Sequence, residues 1–334
     1  MKSHANLMKS RALAGLFLSA IALCILSSSA RAQLYVSQQG NNTVAEYDAT
    51  TGALINSTFI TGVSNPFSLA LSGNNLFVAE FSGGRVGEYD ATTGAAVNAS
   101  FITGLSSPAA VALSGNNLFV TNYGAVGTVG KYNATTGAAI NASFITGTNF
   151  PVSLALLGND LFVGNNFVGS VSKFDATTGA GGPFFGGVSN PLKLALFGNN
   201  LFVSDNGRVA EYDATTGALI NPTFITGLSG ANGLAILGNN LFVASNGSGT
   251  VGEYDAITGA AINPNFITGL SSPAGLALQV QAVPEPSTWT VAALCFAALL
   301  FRRFIYGRIM KFRAKVNPEV RERRSDVSHL CMFV

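Results

Sequence analysis

One unit written six times governs what this chain can fold into. Leu-Phe-Val begins at Leu76, Leu118, Leu161, Leu201 and Leu241, with Leu34-Tyr35-Val36 as a sixth copy, at intervals of 42, 42, 43, 40 and 40 residues. Four short segments follow in fixed order within a unit. They are Leu76–Ala79, then Val86–Tyr89 leading into Asp90-Ala91-Thr92-Thr93-Gly94, then Ala99–Gly104, then Ala109–Leu113 leading into Gly115-Asn116-Asn117. Each segment is long enough for one strand, and each boundary carries turn chemistry. An Asp carboxylate bonds the backbone ahead of it, a Gly takes positive φ, and Gly-Asn marks a hairpin. Asn133 replaces Asp in the third unit, a substitution that turn geometry tolerates. Four strands per unit at this spacing is the period of a β-propeller blade.

The phase of the repeat says how the ring closes. The chain enters at Leu34 on the second strand of a blade, with no inner strand before it. It leaves on Gly275-Leu276-Ala277-Leu278, an inner strand with no Leu-Phe-Val after it. The last inner strand should therefore complete the first blade, which removes edges that would otherwise aggregate. In Leu69-Ala70-Leu71 and Leu276-Ala277-Leu278, Leu faces one side and Ala the other, so one blade's leucines can nest on the next blade's alanines. The expected fold class is all-β, a six-bladed β-propeller over residues 33–280.

Composition agrees and narrows the function. The 38 glycines are too many for a helical bundle, at about 1 kcal/mol each in helix interiors. Charged residues are 10% and hydrophobic ones 48%, which excludes a disordered chain. Residues 33–280 carry twelve acids and five bases, a poor balance for phosphate contacts, so no nucleic-acid partner is expected. Cys24, Cys295 and Cys331 lie outside this segment, as do His4 and His329. That removes thiolate and imidazole metal sites, and Ser-His-Asp and Cys-His catalysis, from it. No phosphate loop or nucleophile elbow is present. Neither cofactor nor resident metal is expected, and the chain is not expected to be an enzyme.

The two ends read as addresses. Lys2, Lys9 and Arg11, the apolar run Ala12–Leu26 and the Ala30-Arg31-Ala32 site make residues 1–32 a signal peptide. At the other end Val283-Pro284-Glu285-Pro286-Ser287-Thr288 precedes the apolar Trp289–Phe301 and then Arg302-Arg303. Within segment 281–303 a transmembrane helix is expected over 288–301, with the arginines on the cytoplasmic side. This order resembles the PEP-CTERM sorting signal of Gram-negative bacteria. The resemblance implies Pro284, Glu285, Pro286, Arg302 and Arg303 as the sorting residues. It also implies an exosortase as partner and a setting in species that make exopolysaccharide. The family's tail ends just after the arginines, whereas here residues 304–334 follow, expected as a basic cytoplasmic tail. The expected location is export, anchoring in the inner membrane by this helix, then the cell surface or extracellular matrix. The repeats resemble NHL and YVTN-type propellers, most closely at Leu118-Phe119-Val120-Thr121-Asn122, and such propellers usually bind partners without sharing one activity.

Repetition also sorts the candidate residues. Asp48, Asp90, Asp175, Asp213 and Asp255 recur and are expected as turn formers. Glu88 recurs too, with Lys131 and Lys173 in its column, and is expected on a solvated rung of each blade. Blades differ mainly in the loop after the Leu-Phe-Val strand: Glu80, Phe81 and Arg85; Asn122 and Tyr123; Asn165, Asn166 and Phe167; Asp205, Asn206 and Arg208. Variable loops on a rigid scaffold are where binding usually resides. Aromatic rings beside amides and charges suit the faces and hydroxyls of sugars. Ligand binding is therefore expected at Phe81, Arg85, Asn122, Tyr123, Asn165, Asn166, Phe167, Asp205 and Arg208. Exopolysaccharide or a surface protein is the partner. Two other readings stand beside adhesion: a calcium-assisted lactonase or lyase using Glu80 and Asp205, and a passive matrix spacer. Lys193, alone in its charge among the inner strands, can face the central channel but is expected to snorkel to solvent.

Overall fold

A computed structural model describes residues 32–280; the segments expected as a signal peptide, a sorting signal with a transmembrane helix, and a basic tail lie outside the described residues, apart from Ala32. The chain forms six sheets of four antiparallel strands, the blades of a β-propeller. Blade two is representative, with an inner strand Pro66–Ser72, then Asn75–Glu80, Arg85–Asp90 and an outer strand Ala96–Ile102. Closure follows the phase of the repeat. The last strand, Pro273–Val280, pairs antiparallel with the first, Ala32–Gln38, so Leu34 lies opposite Leu278 and Val36 opposite Leu276.

The core sits between blades. Each hydrophobic cluster joins two neighbours, as where Leu69, Leu76 and Tyr89 of blade two meet Tyr35, Phe59 and Ala277 of blade one. The next interface sets Val111 and Leu118 of blade three against Phe77 and Phe101 of blade two, with Ala70 and Leu113 packed on them. The Leu/Ala alternation thus does what the sequence predicts. A ring of paired faces leaves no blade with an unpacked side.

The turn aspartates also behave as predicted. The Asp90 Oδ1 accepts the backbone N–H groups of Thr92 at 2.9 Å and Thr93 at 2.8 Å, and the Thr93 hydroxyl at 2.9 Å. These bonds, led by the Thr93 hydroxyl, hold the Asp90 carboxyl below the usual carboxylate range.

The glutamate column differs from expectation. Glu46, Glu88, Glu211 and Glu253 are buried, not solvated. Asn75 Nδ2 donates to Glu88 at 2.7 Å, and Asn200 and Asn240 donate to Glu211 and Glu253 at 2.6 Å each. Burial raises the pKa of Glu88, Glu211 and Glu253. Where Lys173 takes the Glu place, Asp160 takes the Asn place, and the two form an ion pair at 2.7 Å. Lys131 is buried over the rings of Phe119 and Phe144 and donates to the Ala176 carbonyl at 3.0 Å. A charge removed from water needs a partner, and each of these side chains has one.

Candidate functional site: the variable-loop face and the channel mouth

The loops after the second strands and the links between blades share one face of the ring. In four of the six loops the first side chain proves to be a brace to the preceding link. Gln38, Glu80, Asn122 and Asn165 accept the backbone N–H of Ser271, Ser64, Ser106 and Asn149, at 2.9, 2.8, 3.1 and 3.3 Å respectively. Each thereby ties the loop to the link that feeds its blade. A second bond crosses the loop and follows the charge of the brace. Glu80 takes Arg85 Nε at 2.8 Å and Asp205 takes Arg208 Nε at 2.8 Å. The Asn122 amide donates to Thr128 at 3.1 Å, and that of Asn165 donates to Ser172 at 2.9 Å. Five of the nine sequence-predicted residues (Arg85, Asn122, Asn165, Asp205 and Arg208) therefore hold loops. Their variation conserves an oxygen acceptor and its counterpart. Asn166 engages the link through its backbone N–H, which bonds the Phe150 carbonyl at 3.1 Å.

The three aromatic candidates are brought together by two residues the sequence reading missed. Phe67 and Phe81 have ring centroids 5.5 Å apart, Phe81 and Tyr123 5.5 Å, Tyr123 and Phe150 4.9 Å, and Phe150 and Phe167 5.4 Å. An unbroken row of five rings thus crosses blades two to four. Phe67, Phe81, Tyr123 and Phe150 are half-buried, while Phe167 is 75% exposed, and its chain neighbour Val168 is exposed too.

Phe150 holds the row together in an unfavourable backbone conformation. Its φ is +48°, at a link position where the other blades carry Asn65, Ser107, Asn190, Gly230 and Ser272. Asn and Gly enter the left-handed region readily, whereas any other side chain, the two serines included, pays about 1–2 kcal/mol there, and at Phe150 the residue so placed is also bulky. The signal for Phe67 and Phe150 in the sequence is one large ring in a column of small or polar residues.

At the inner end of the row lies the channel mouth. The channel is a cavity of ~80 Å³ lined by two residues from each blade, among them Ser68, Ser153, Lys193, Gly233 and Gly275. Lys193 does not snorkel outward. Its Nζ reaches across the ring to blade two, where it donates to the Phe67 carbonyl at 3.2 Å and sits 4.4 Å from the Phe67 ring centroid. Burial lowers its pKa to about 7.

Among the described residues no three His, Cys, Asp or Glu side chains gather as a metal-binding group. No protein-family model and no curated protein matches the chain. Similar solved structures include a computationally designed protein, Ika8 (20% identity, 74% of each chain, TM-score 0.48). Another is a chain of a nidogen–laminin complex (13% identity, 74% of this chain and 98% of that one, TM-score 0.62). The second likeness reaches fold level only, and with the strand order it sets this chain among the six-bladed β-propellers.

Proposed function

We propose that this chain is an exported binding protein of the cell envelope or exopolysaccharide matrix, and that it holds a glycan along the aromatic row. The observation that carries this reading is Phe150. A fold does not need a phenylalanine in the left-handed region when five sister positions use Asn, Ser or Gly; strain of this kind is kept where it supports a site. Here it fills the gap between Tyr123 and Phe167, completing a row of rings each tilted 32° to 59° to the next, with polar loops alongside. The PEP-CTERM-like order of Pro284-Glu285-Pro286, apolar stretch and Arg302-Arg303 supports sorting by an exosortase-type enzyme, and the NHL-like repeats support binding over catalysis. The calcium-assisted alternative draws less support, because Glu80 and Asp205 are each held by an arginine.

The test uses the full-length chain and exopolysaccharide from the source cells. Wild type should bind saturably. Phe150→Asn should weaken binding on the order of tenfold, as loss of a central contact does, while keeping stability within about 1 kcal/mol, since relief of strain offsets the lost ring contacts. Replacing Phe81, Tyr123 and Phe167 together with Ala should abolish binding. Binding indifferent to Phe150→Asn, or no binding by the folded wild type, overturns the reading and leaves a protein ligand or a passive spacer.

A further inference from the structure

The channel position held by Lys193 is occupied elsewhere by Ser68, Ala110, Ser153, Gly233 and Gly275, so five blades close the ring with small side chains. A lone ammonium there is a cost the scaffold does not require. No acid compensates it. The neighbouring inner strands Pro66–Ser72, Pro151–Leu157 and Ala231–Leu237 carry no ionisable residue, nor does the paired strand Asn200–Ser204. Asp205, next along, is bound to Arg208. Asp160, at the far end of the strand Asp160–Asn165, is bound to Lys173. Ser153 lines the same cavity but is 1% exposed, and its Oγ, which has no hydrogen-bond partner, points at Gly164 of the paired strand. The Ser68 Oγ accepts a long bond from the Val111 N–H at 3.4 Å, which leaves its own proton free to donate.

Resting on the glycan reading above, we propose that Lys193, with Ser68 and Ser153, receives a carboxylate, so that the ligand of the aromatic row is a uronic-acid sugar. The ammonium lies on the face of Phe67, the first ring of the row, so a sugar stacked there presents its substituents to the channel mouth. One cation and two hydroxyls match a planar monoanion with two oxygens. A tetrahedral dianion calls for more donors, such as the forked N–H groups of an arginine. A turn about χ1 brings the Ser153 Oγ from Gly164 to the cavity, where it gains the partner it lacks, and the ammonium gains a counter-ion.

The full-length chain, as wild type and Lys193→Met, is titrated calorimetrically with three probes: oligogalacturonate, the same oligomer fully methyl-esterified, and free galacturonate. At pH 6 the acidic oligomer should bind wild type roughly tenfold or more tighter than the ester, the scale of a hydrogen bond to a charged group. That advantage should vanish in Lys193→Met, and in wild type at pH 9 where the amine is neutral. Binding of the ester should be equal in both chains. Equal binding of acid and ester by wild type overturns the carboxylate assignment but leaves the glycan reading standing. Tight binding of free galacturonate, lost in Lys193→Met and without any binding of either oligomer, keeps the carboxylate site and overturns the polymer as its source. If no probe binds, the uronic-acid assignment fails, and the glycan reading is decided by the exopolysaccharide titration above.

Discussion

Lys193→Met should make the propeller more stable at pH 6, by about 2–4 kcal/mol, and the gain should shrink as the pH rises towards 9.5. The folded pKa of Lys193 is about 7, against an ordinary 10.5. Below pH 7 the amine is charged in folded and unfolded chains alike, and the folded chain bears the full cost of burying it. Between pH 7 and 10.5 the folded chain releases a proton that the unfolded chain keeps, so stability rises with pH. Above 10.5 both forms are neutral and the dependence ends. Methionine fills the same space against the Phe67 ring without a charge, so the variant lacks this slope. The bond to the Phe67 carbonyl and the ring contact offset part of the burial cost, which is why the gain stays below the full shift. Urea titrations of both proteins at pH 6, 7.5 and 9.5 measure the difference. Stopping at 9.5 keeps clear of the buried tyrosines, whose pKa values burial raises. A gap independent of pH, or a variant less stable at pH 6, would show that the amine is neither buried nor charged as described.

This result and the carboxylate titration are two sides of one residue. A side chain that destabilises its own fold and improves discrimination by its ligand is placed for the ligand. If Lys193→Met gained stability and lost no discrimination, the amine would be a leftover of duplication. If it lost both, the amine would be a latch between blades five and two.

What could be read from the sequence follows from repetition. The strand pattern and the Leu/Ala faces are each stated six times over, and the Asp turns five, so one irregular copy does not obscure them, while closure is read from the two ends of the repeat. The glutamate column was equally repetitive, yet it was misread as solvated. Its partners, Asn75, Asn200 and Asn240, lie thirteen or eleven residues away, across a hairpin, and were read only as turn formers. The compensating swap, Asp160 for Asn with Lys173 for Glu, was the available clue. The variable loops failed for the opposite reason. Glu80, Asn122, Asn165 and Gln38 look like different chemistry, although all four offer one oxygen to the same backbone N–H. Phe150 was missed because its meaning lies in a dihedral angle, and a ring's proximity to another blade's ring is written in no single repeat.

The second large effect tests how the blades are held together. Gly94→Ala should cost about 2–5 kcal/mol, and Gly104→Ala only about 1–2 kcal/mol. Both glycines lie in the same repeat and both are left-handed, with φ of +72° and +75°. The backbone strain of an added methyl is therefore common to the pair. Their surroundings differ. A Cβ on Gly104 meets nothing within 4 Å, whereas one on Gly94 falls 2.0 Å from the carbonyl oxygen of Phe59 on the outer strand of blade one. Gly52, Gly137 and Gly259 stand in the same relation to Phe266, Phe101 and Phe224, at 2.4, 2.2 and 2.1 Å. Gly217, by contrast, meets the rings of Phe184 and Phe185. In those four blades the glycine closing the turn thus has two duties. It takes the left-handed turn, which the sequence announces, and it lets the turn lie directly on the neighbouring blade's backbone, which the sequence does not. Backbone cannot yield as a side-chain tip does, so the methyl must part the blades. Denaturation midpoints of the two variants separate the terms, the excess of Gly94→Ala over Gly104→Ala being the cost of that parting. Equal losses would mean that the seam between blades is loose, and that the Leu/Ala faces alone set the spacing of the ring.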